Sequence, residues 1–285
     1  MGRPGNRSSR GPSVGRRRPP AGAGSDRGAA LADRLATLYP GSACSLDFRS
    51  PFELLVATIL SAQCTDRRVN MVTPALFRRW PGARELAAAR PEELEAVIRS
   101  TGFFRAKARN ILGCARALVD RHGGEVPEAL DALVRLPGVG RKTANVVLGV
   151  AFGRAEGVVV DTHVGRISRR LGLSRRGEAV GVEKDLVRQI PRDHWIAFSH
   201  RLIDHGRAVC LARRPRCTGC GLADLCPRKG LPALAESGAA HGKAGRRTVQ
   251  SRRSSGGARR RRGADASDAA PPPTPTGRTP HGKLP

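Results

Sequence analysis

The chain has 285 residues and a formal net charge of +27, because 51 lysines and arginines stand against 24 acidic residues. No apolar run approaches the roughly 20 residues of a membrane-spanning helix, and residues 16–18 are arginines followed by prolines rather than by the apolar stretch of a secretory signal. These features disfavour a membrane or secreted protein. The basic balance indicates a polyanionic partner, most simply nucleic acid.

The two ends of the chain differ in composition from its middle. Residues 1–28 and 229–285 are rich in Gly, Pro, Ser and Arg and hold few large apolar side chains, so they cannot bury a core. We predict a disordered basic arm at 1–28 and a disordered basic, Pro- and Arg-rich tail at 229–285. Residues 29–228 carry both tryptophans and nearly all large aliphatic side chains, and we predict that they form the folded unit.

Hydrophobic periodicity predicts helices through this middle part. Residues 50–53 form a capping box with Pro51 at the first helical position. Another helix opens at Pro91, and a long basic amphipathic helix is expected over 104–121. Further helices are expected near 127–135, 141–152, 163–171, 180–190 and 193–206. The three valines at 158–160 are the only strand-like run and are too few for a sheet, so the predicted fold class is all-α.

A glycine-rich turn at 136–140 separates two of these helices. Gly138 and Gly140 allow a tight turn that exposes backbone N–H groups at the start of the next helix, where the helix dipole favours an anion. Such a helix–turn–helix unit can clamp a phosphate, although a Gly-x-Gly turn alone is also typical of an ordinary connection. It is not a Walker A loop, because Arg141 precedes Lys142, and no strand leads into it as in a dinucleotide site.

Two residues after this turn are candidates for chemistry. Only six of the 51 basic residues are lysines, so Lys142 beside a phosphate clamp suggests a role that arginine cannot fill. A lysine can lose its proton and attack carbon, whereas arginine stays protonated. Phosphate binding by Lys142 is the equally consistent alternative. Asp161 precedes a predicted helix, so it can be a helix N-cap, a catalytic carboxylate, or both.

Four cysteines lie within seventeen residues, with the spacing C-x6-C-x2-C-x5-C. Four thiolates this close can hold one soft metal centre, either a [4Fe–4S] cluster or a tetrahedral zinc ion. Zinc sites usually show two C-x2-C pairs separated by a dozen or more residues, and only one such pair occurs here, so the spacing favours the cluster. A disulfide pair or four unrelated thiols is disfavoured by the missing secretion signal. The cysteines are Cys210, Cys217, Cys220 and Cys226.

These motifs, in this order, resemble endonuclease III, a family of bifunctional DNA glycosylase/lyases of base-excision repair. The resemblance rests on LPGVGRKTANVVL at 136–148, VDTH at 160–163 and the cysteine spacing, with SPFELLVATILSAQCTD from residue 50 and HGRAVC before the cysteines. It implies two helical lobes with DNA between them. The first is a six-helix lobe at 46–153 that carries the turn, and the second is an iron–sulfur lobe at 29–45 and 154–228.

The resemblance also implies roles for particular residues. Lys142 would be the nucleophile that forms a Schiff base, Asp161 its acidic partner, and the four cysteines the ligands of a [4Fe–4S] cluster. Gln63 would fill the gap left by an extruded base, and Phe103 stands where the family usually has a leucine wedge. The other residues expected to contact DNA are Gly138, Gly140, Arg141, His163, Arg213, Arg214 and Arg216.

The expected partner is double-stranded DNA that contains damaged pyrimidines or abasic sites. We expect a monomer in the cytoplasm, associated with a bacterial nucleoid, and favour this over organelle targeting by the Arg-rich leader. Two alternatives remain. The adenine glycosylase of mismatch repair has the same motifs but a serine in place of Lys142, and a non-catalytic DNA-binding module would not need both Lys142 and Asp161.

Overall fold

Helices make up all the regular secondary structure of residues 23–232, the part of the chain that the computed structural model describes. This confirms the predicted all-α fold class. None of the helices in this range is both long and apolar enough to cross a membrane. The helices are α1 (Ala23–Leu38), α2 (Pro51–Leu60), α3 (Asp66–Arg79), α4 (Ala83–Ala87), α5 (Pro91–Ile98), α6 (Phe104–His122), α7 (Leu130–Leu133), α8 (Arg141–Phe152), α9 (Thr162–Arg170), α10 (Ala179–Leu186) and α11 (Trp195–Ala208).

Local capping signals determine where several helices begin. Ser50 Oγ accepts a hydrogen bond from the Glu53 N–H at 3.2 Å, and Glu53 Oε2 accepts one from the Arg49 N–H at 2.7 Å, so α2 starts at Pro51 as predicted. Helices α3 and α4 were not predicted. Helix α3 contains Pro74, and proline disfavours the interior of a helix, so the sequence did not predict a helix here. The helix is nevertheless continuous, because tertiary packing overrides the local preference of proline.

The buried apolar side chains form two hydrophobic cores. The first extends from Leu46 to Leu148 and is built by α2 to α8. The second is built by Leu31 and Leu35 of α1, by α9 to α11, and by Leu222. The N-terminal helix therefore packs with the C-terminal part of the chain. The lobe limits expected from the resemblance, 46–153 against 29–45 and 154–228, stay a prediction.

The folded part is longer at its N-terminus than the composition suggested. Helix α1 begins at Ala23, so the arm predicted over 1–28 is wrong for its last residues. The Arg27 side chain donates to the carbonyls of Leu171 and Leu225, and Gly28 lies so close to Gln189 that a Cβ would be 2.0 Å from its carbonyl oxygen. These tertiary contacts hold a segment whose composition alone predicts disorder.

A similar extension occurs at the C-terminal end. The Lys229 N–H donates to the Arg170 carbonyl of α9 at 3.0 Å, and Arg228 Nη2 donates to the Pro232 carbonyl at 2.8 Å. The tail predicted from residue 229 is therefore wrong for 229–232. The remainder of both predicted tails, 1–22 and 233–285, lies outside the described residues.

Candidate active site and metal centre

The turn at 136–140 packs against α6 and leads directly into α8. Gly138 has a φ of +76°, and a Cβ there would lie 2.7 Å from Asn110 Cβ, so only glycine fits. Gly140 is the N-cap of α8 and has no side chain to accept a hydrogen bond from the first turn. The N–H groups at the start of α8 therefore remain available to an anion.

Lys142 and Asp161 each lie at the start of a helix. Lys142 is the second residue of α8 and is exposed. Asp161 is the N-cap of α9, and its Oδ1 accepts a hydrogen bond from the Val164 N–H at 2.7 Å. This confirms the N-cap alternative for Asp161, while a catalytic role for either residue stays a prediction. Helices α8 and α9 both pack against α11.

Arg141, the residue before Lys142, forms an ion pair within the protein. Its Nε lies 3.0 Å from Glu183 Oε2, its Nη2 lies 3.1 Å from Glu183 Oε1, and Glu183 raises the pKa of Arg141. DNA contact by Arg141 stays a prediction. Glu183 was not among the predicted site residues, although a charged residue between Ala179 and Leu186 on the buried face of α10 indicates a buried partner.

Gln63 and Phe103 share an unusual backbone conformation. Their φ angles are 52° and 48°, and Arg228 is the only other non-glycine residue in 23–232 with a positive φ. Left-handed backbone costs a bulky residue free energy, and such residues cluster at functional sites. Both side chains are exposed, with Phe103 at 68%. The unusual backbone therefore occurs at the two residues that the resemblance assigns to base extrusion, and their roles stay predictions.

A buried lysine lies behind the turn that presents Phe103. Lys107 of α6 is only 4% exposed, and its Nζ donates a hydrogen bond to the Thr101 carbonyl at 2.7 Å. Burial lowers the pKa of Lys107. This contact was not predicted, because Lys107 lies in a basic amphipathic helix, where a solvated lysine is expected. It holds the turn in place from inside the first core.

The other residues expected to contact DNA lie along the second core. His163 is half-buried, burial lowers its pKa, and its Nδ1 lies 3.4 Å from Arg166 Nη2. The loop between the first two cysteines leaves three arginine side chains exposed, namely Arg213, Arg214 and Arg216. The fold neither confirms nor contradicts DNA contacts at these positions.

The four cysteines line a single cavity beside the second core. Arg170 Nη1 donates a hydrogen bond to Cys210 Sγ at 3.3 Å, and the Leu222 N–H donates to Cys220 Sγ at 3.4 Å. Burial raises the pKa of Cys220 and of Cys226. The cavity is lined by Cys210, Cys217, Cys220 and Cys226 together with Ile167, Arg170, Leu171, His205, Val209, Pro215, Arg216, Leu222 and Leu231.

The surroundings of these thiols suit an iron–sulfur cluster. Thiolate is its usual protein ligand, and hydrogen bonds to sulfur, a nearby positive charge and apolar walls all stabilise it.

A chain of contacts leads from the cavity to Tyr39. His205 Nε2 lies 3.7 Å from Cys220 Sγ, and Tyr39 Oη lies 2.9 Å from His205 Nδ1. In residues 23–232, no group of three or more His, Cys, Asp or Glu side chains is arranged so that it could hold a metal ion.

Comparison with known proteins identifies the family. Residues 56–192 match the model of the HhH-GPD superfamily base excision DNA repair protein. Endonuclease III of Synechocystis sp. is 58% identical over 193 residues, which are 68% of this chain and 88% of that protein. Endonuclease III of Bacillus subtilis is 48% identical over 195 residues, 68% of this chain and 89% of that protein. The chain belongs to the endonuclease III family.

The structural comparison agrees with this assignment. A trapped endonuclease III–DNA covalent intermediate, solved as an estranged-adenine complex, has a TM-score of 0.66 and 48% identity and covers 70% of this chain and 93% of that one. This member of the endonuclease III family is thus an enzyme of base-excision DNA repair with glycosylase activity. The family match includes Gln63, Phe103, Lys142, Asp161 and Glu183, and it ends before Cys210, the first of the four cysteines that line the cavity.

The two glycines of the turn provide a direct test of its geometry. Gly138→Ala should lower the free energy of unfolding by about 1–3 kcal/mol, because its φ is positive and its Cβ would collide with Asn110. Gly140→Ala is the matched control, since its φ is −87° and a Cβ there meets open space. Urea unfolding of both variants measures the difference. Equal losses would contradict the close packing of the turn on α6.

Proposed function

We propose that this enzyme removes oxidised or otherwise damaged pyrimidines from duplex DNA and then nicks the abasic site by β-elimination. The observation that carries the proposal is Lys142, an exposed lysine in the first turn of α8, directly after a Gly-x-Gly turn with open N–H groups. The similar solved structure, a trapped covalent intermediate between endonuclease III and DNA, supports a covalent route. The alternative, the adenine glycosylase of mismatch repair, has serine at this position and could not form an imine there.

Lys142 would act as the nucleophile. Its neutral amine attacks C1′ of the damaged nucleotide, the N-glycosidic bond breaks, and the base leaves with a proton. Opening of the sugar ring gives a Schiff base between Nζ and C1′. Removal of a C2′ proton then expels the 3′ phosphate and nicks the strand. The Asp161 carboxylate would stabilise positive charge developing on the sugar and assist proton transfer.

The turn and the two exposed residues with positive φ would prepare the substrate. The N–H groups of Gly138 and Gly140 and those at the start of α8 would hold a backbone phosphate and so bring C1′ towards Lys142, whereas the Val139 N–H donates to the Leu136 carbonyl at 3.1 Å. A damaged base must leave the stack before attack, which costs a few kcal/mol. Phe103 would wedge into the stack and Gln63 would occupy the vacated space, which offsets part of that cost.

The four cysteines would hold a [4Fe–4S] cluster. When bound, the cluster supplies strong metal–thiolate bonds that connect the end of α11 with the C-terminal loop. The loop between Cys210 and Cys217 would then present its arginines to DNA phosphates. We also propose that the protein acts as a monomer, since all residues of the proposed site belong to one chain. We place it in the cytoplasm because cysteine thiols persist in a reducing compartment.

The first prediction from the proposed function concerns the nucleophile. Borohydride added during turnover should trap the parental enzyme on DNA, whereas Lys142→Gln and Lys142→Arg should give neither an adduct nor a nick while they still bind the duplex. Arginine fails here despite its charge because guanidinium does not deprotonate at workable pH. Gel analysis of trapped and nicked products on an abasic duplex measures both losses.

Two further variants control this test. Lys184→Gln removes another exposed lysine, on α10, and should be trapped at the parental rate. Asp161→Asn keeps the N-cap of α9, so it should retain stability but lose most of its activity. If Lys142→Arg nicked DNA at close to the parental rate, Lys142 would be a phosphate ligand and not the nucleophile.

The second prediction concerns base extrusion. Phe103→Ala should slow release of a paired damaged base about tenfold, while nicking at a preformed abasic site changes much less, because no base has to leave the stack. Met71→Ala provides the control, since Met71 is also exposed at 61% but lies on α3. Single-turnover rates on the two substrates give the comparison. Equal slowing on both would refute the wedge role.

The third prediction concerns the metal centre. Purified protein should contain about four iron atoms and four acid-labile sulfides per chain and absorb broadly in the visible range. Cys217→Ser should lose iron and solubility, whereas Cys64→Ser, which changes a cysteine outside the cavity, should retain both. Metal analysis and visible spectra measure these outcomes. Zinc without acid-labile sulfide would show that the cysteines hold a zinc ion.

A further inference from the structure

The buried carboxylate of Glu183 connects the two hydrophobic cores beside Lys142. Glu183 lies on α10 of the second core and is 6% exposed, whereas its partners Arg141 and Asn145 lie on α8 of the first core. Arg141 Nε and Nη2 donate to the two carboxylate oxygens at 3.0 and 3.1 Å. Asn145 Nδ2 donates to Oε1 at 3.1 Å. The carboxylate is therefore fixed from two successive turns of α8.

The chain also encloses this contact. Gly157, in the segment between α8 and α9, lies so close that a Cβ would be 2.0 Å from Glu183 Oε1 and 2.8 Å from Asn145 Nδ2. Asn145 is 4% exposed, and its Oδ1 has no hydrogen-bond partner in the described residues, so its amide is oriented by the donation to Glu183. Arg141 is about half exposed, so the ion pair is buried on its carboxylate side only. The two-pronged contact and the second donor, Asn145, still hold its geometry better than a single-pronged pair on the surface would.

We propose that Glu183 is a positioning residue for the reaction, one that holds the start of α8 at a fixed place relative to the start of α9. Arg141 is the first residue of α8 and directly precedes Lys142, so fixing its guanidinium fixes the backbone that carries Lys142. Helix α10 packs on α9, whose N-cap is Asp161. The inference rests on the proposed function, in which Lys142 and Asp161 must act on one sugar.

The ion pair matters because the two candidates for chemistry stand on different cores. Lys142 follows the turn of the first core, and Asp161 caps a helix of the second. A misplacement of about 1 Å between reacting groups can cost on the order of a hundredfold in rate. A two-pronged Arg–carboxylate contact fixes both the distance and the orientation of the start of α8 relative to Glu183, which a non-directional apolar contact does not.

Glu183→Gln tests this role because it keeps the shape and removes the charge. The expected result is a loss of at least tenfold in the single-turnover rate of borohydride trapping on an abasic duplex, with the dissociation constant for that duplex changed less than threefold. Glu53→Gln is the matched control. Glu53 is 7% exposed, pairs with Arg49 at 3.4 Å and caps α2 away from this contact, so its loss should lower stability without lowering the rate.

Two further measurements keep the test decisive. Arg141→Lys keeps the positive charge but loses the two-pronged contact, so it should lower the same rate even if Glu183→Gln fails to fold. In the double variant the two losses should not add, because both remove one interaction. Rates equal to that of Glu53→Gln for both single variants would overturn the positioning role.

Failure of the proposed function would look different. If the parental enzyme formed no borohydride adduct, the lysine mechanism itself would be wrong, and the positioning role would fall with it. If the parental enzyme were trapped and Lys142→Gln were not, the proposed function would stand. In that case the rates of Glu183→Gln and Arg141→Lys alone decide whether the ion pair positions the nucleophile.

Discussion

The close approach of Gly138 to Asn110 determines where α8 begins, and the rest of the site depends on that position. Gly138 has no Cβ, and a Cβ there would collide with Asn110 of α6. Because it is absent, the turn can pack closely against the first core and lead directly into α8. The first residue of α8 then reaches Glu183 of the second core, and the second residue is Lys142. One backbone contact thus places an anion site, a candidate nucleophile and the connection between the cores within three residues of one another.

Two buried charged side chains lie behind the site. Lys107 is 4% exposed and Glu183 is 6% exposed, and burial of an ionised group is costly unless it is paired or hydrogen-bonded. Lys107 supports the turn that presents Phe103, and Glu183 supports the start of α8 that presents Lys142. An apolar residue could fill either space, but it could not hold a carbonyl or a guanidinium in one orientation. Both buried charges therefore serve to orient these neighbouring groups more than to stabilise the folded protein.

Much of the fold could be predicted because its signals are local. The capping box at 50–53, Pro91 and the glycines of the turn all mark helix starts, and Asp161 was recognisable as an N-cap. The spacing of the cysteines predicted a shared centre, and they do line one cavity. Helix starts depend on residues within about one turn of the helix, and the cysteine cavity depends on one short segment. Both kinds of pattern can be seen directly in the sequence.

What could not be predicted depends on contacts between distant residues. Arg27 donates to the carbonyls of Leu171 and Leu225. Composition does not show these contacts, so the disordered arm predicted from it extended too far along the chain. Glu183 is an ordinary surface residue by type, and only its place on the buried face of α10 hinted at a partner some forty residues earlier. Backbone strain at Gln63 and Phe103 also has no signature in a single sequence, because it is imposed by the tertiary structure.

The sizes of the two cores explain why the second would need a metal centre. Within residues 23–232 the first core buries 31 apolar residues and the second buries 15, and small cores usually require a disulfide or a metal for stability. Cys210, Cys220 and Cys226 pack directly against the second core, and all three follow the end of α11 in the chain. A cluster there would stiffen the support of Asp161 and of the carboxylate that receives Arg141. The metal centre and the ion pair would therefore serve the same end, a second core rigid enough to act with the first on one nucleotide.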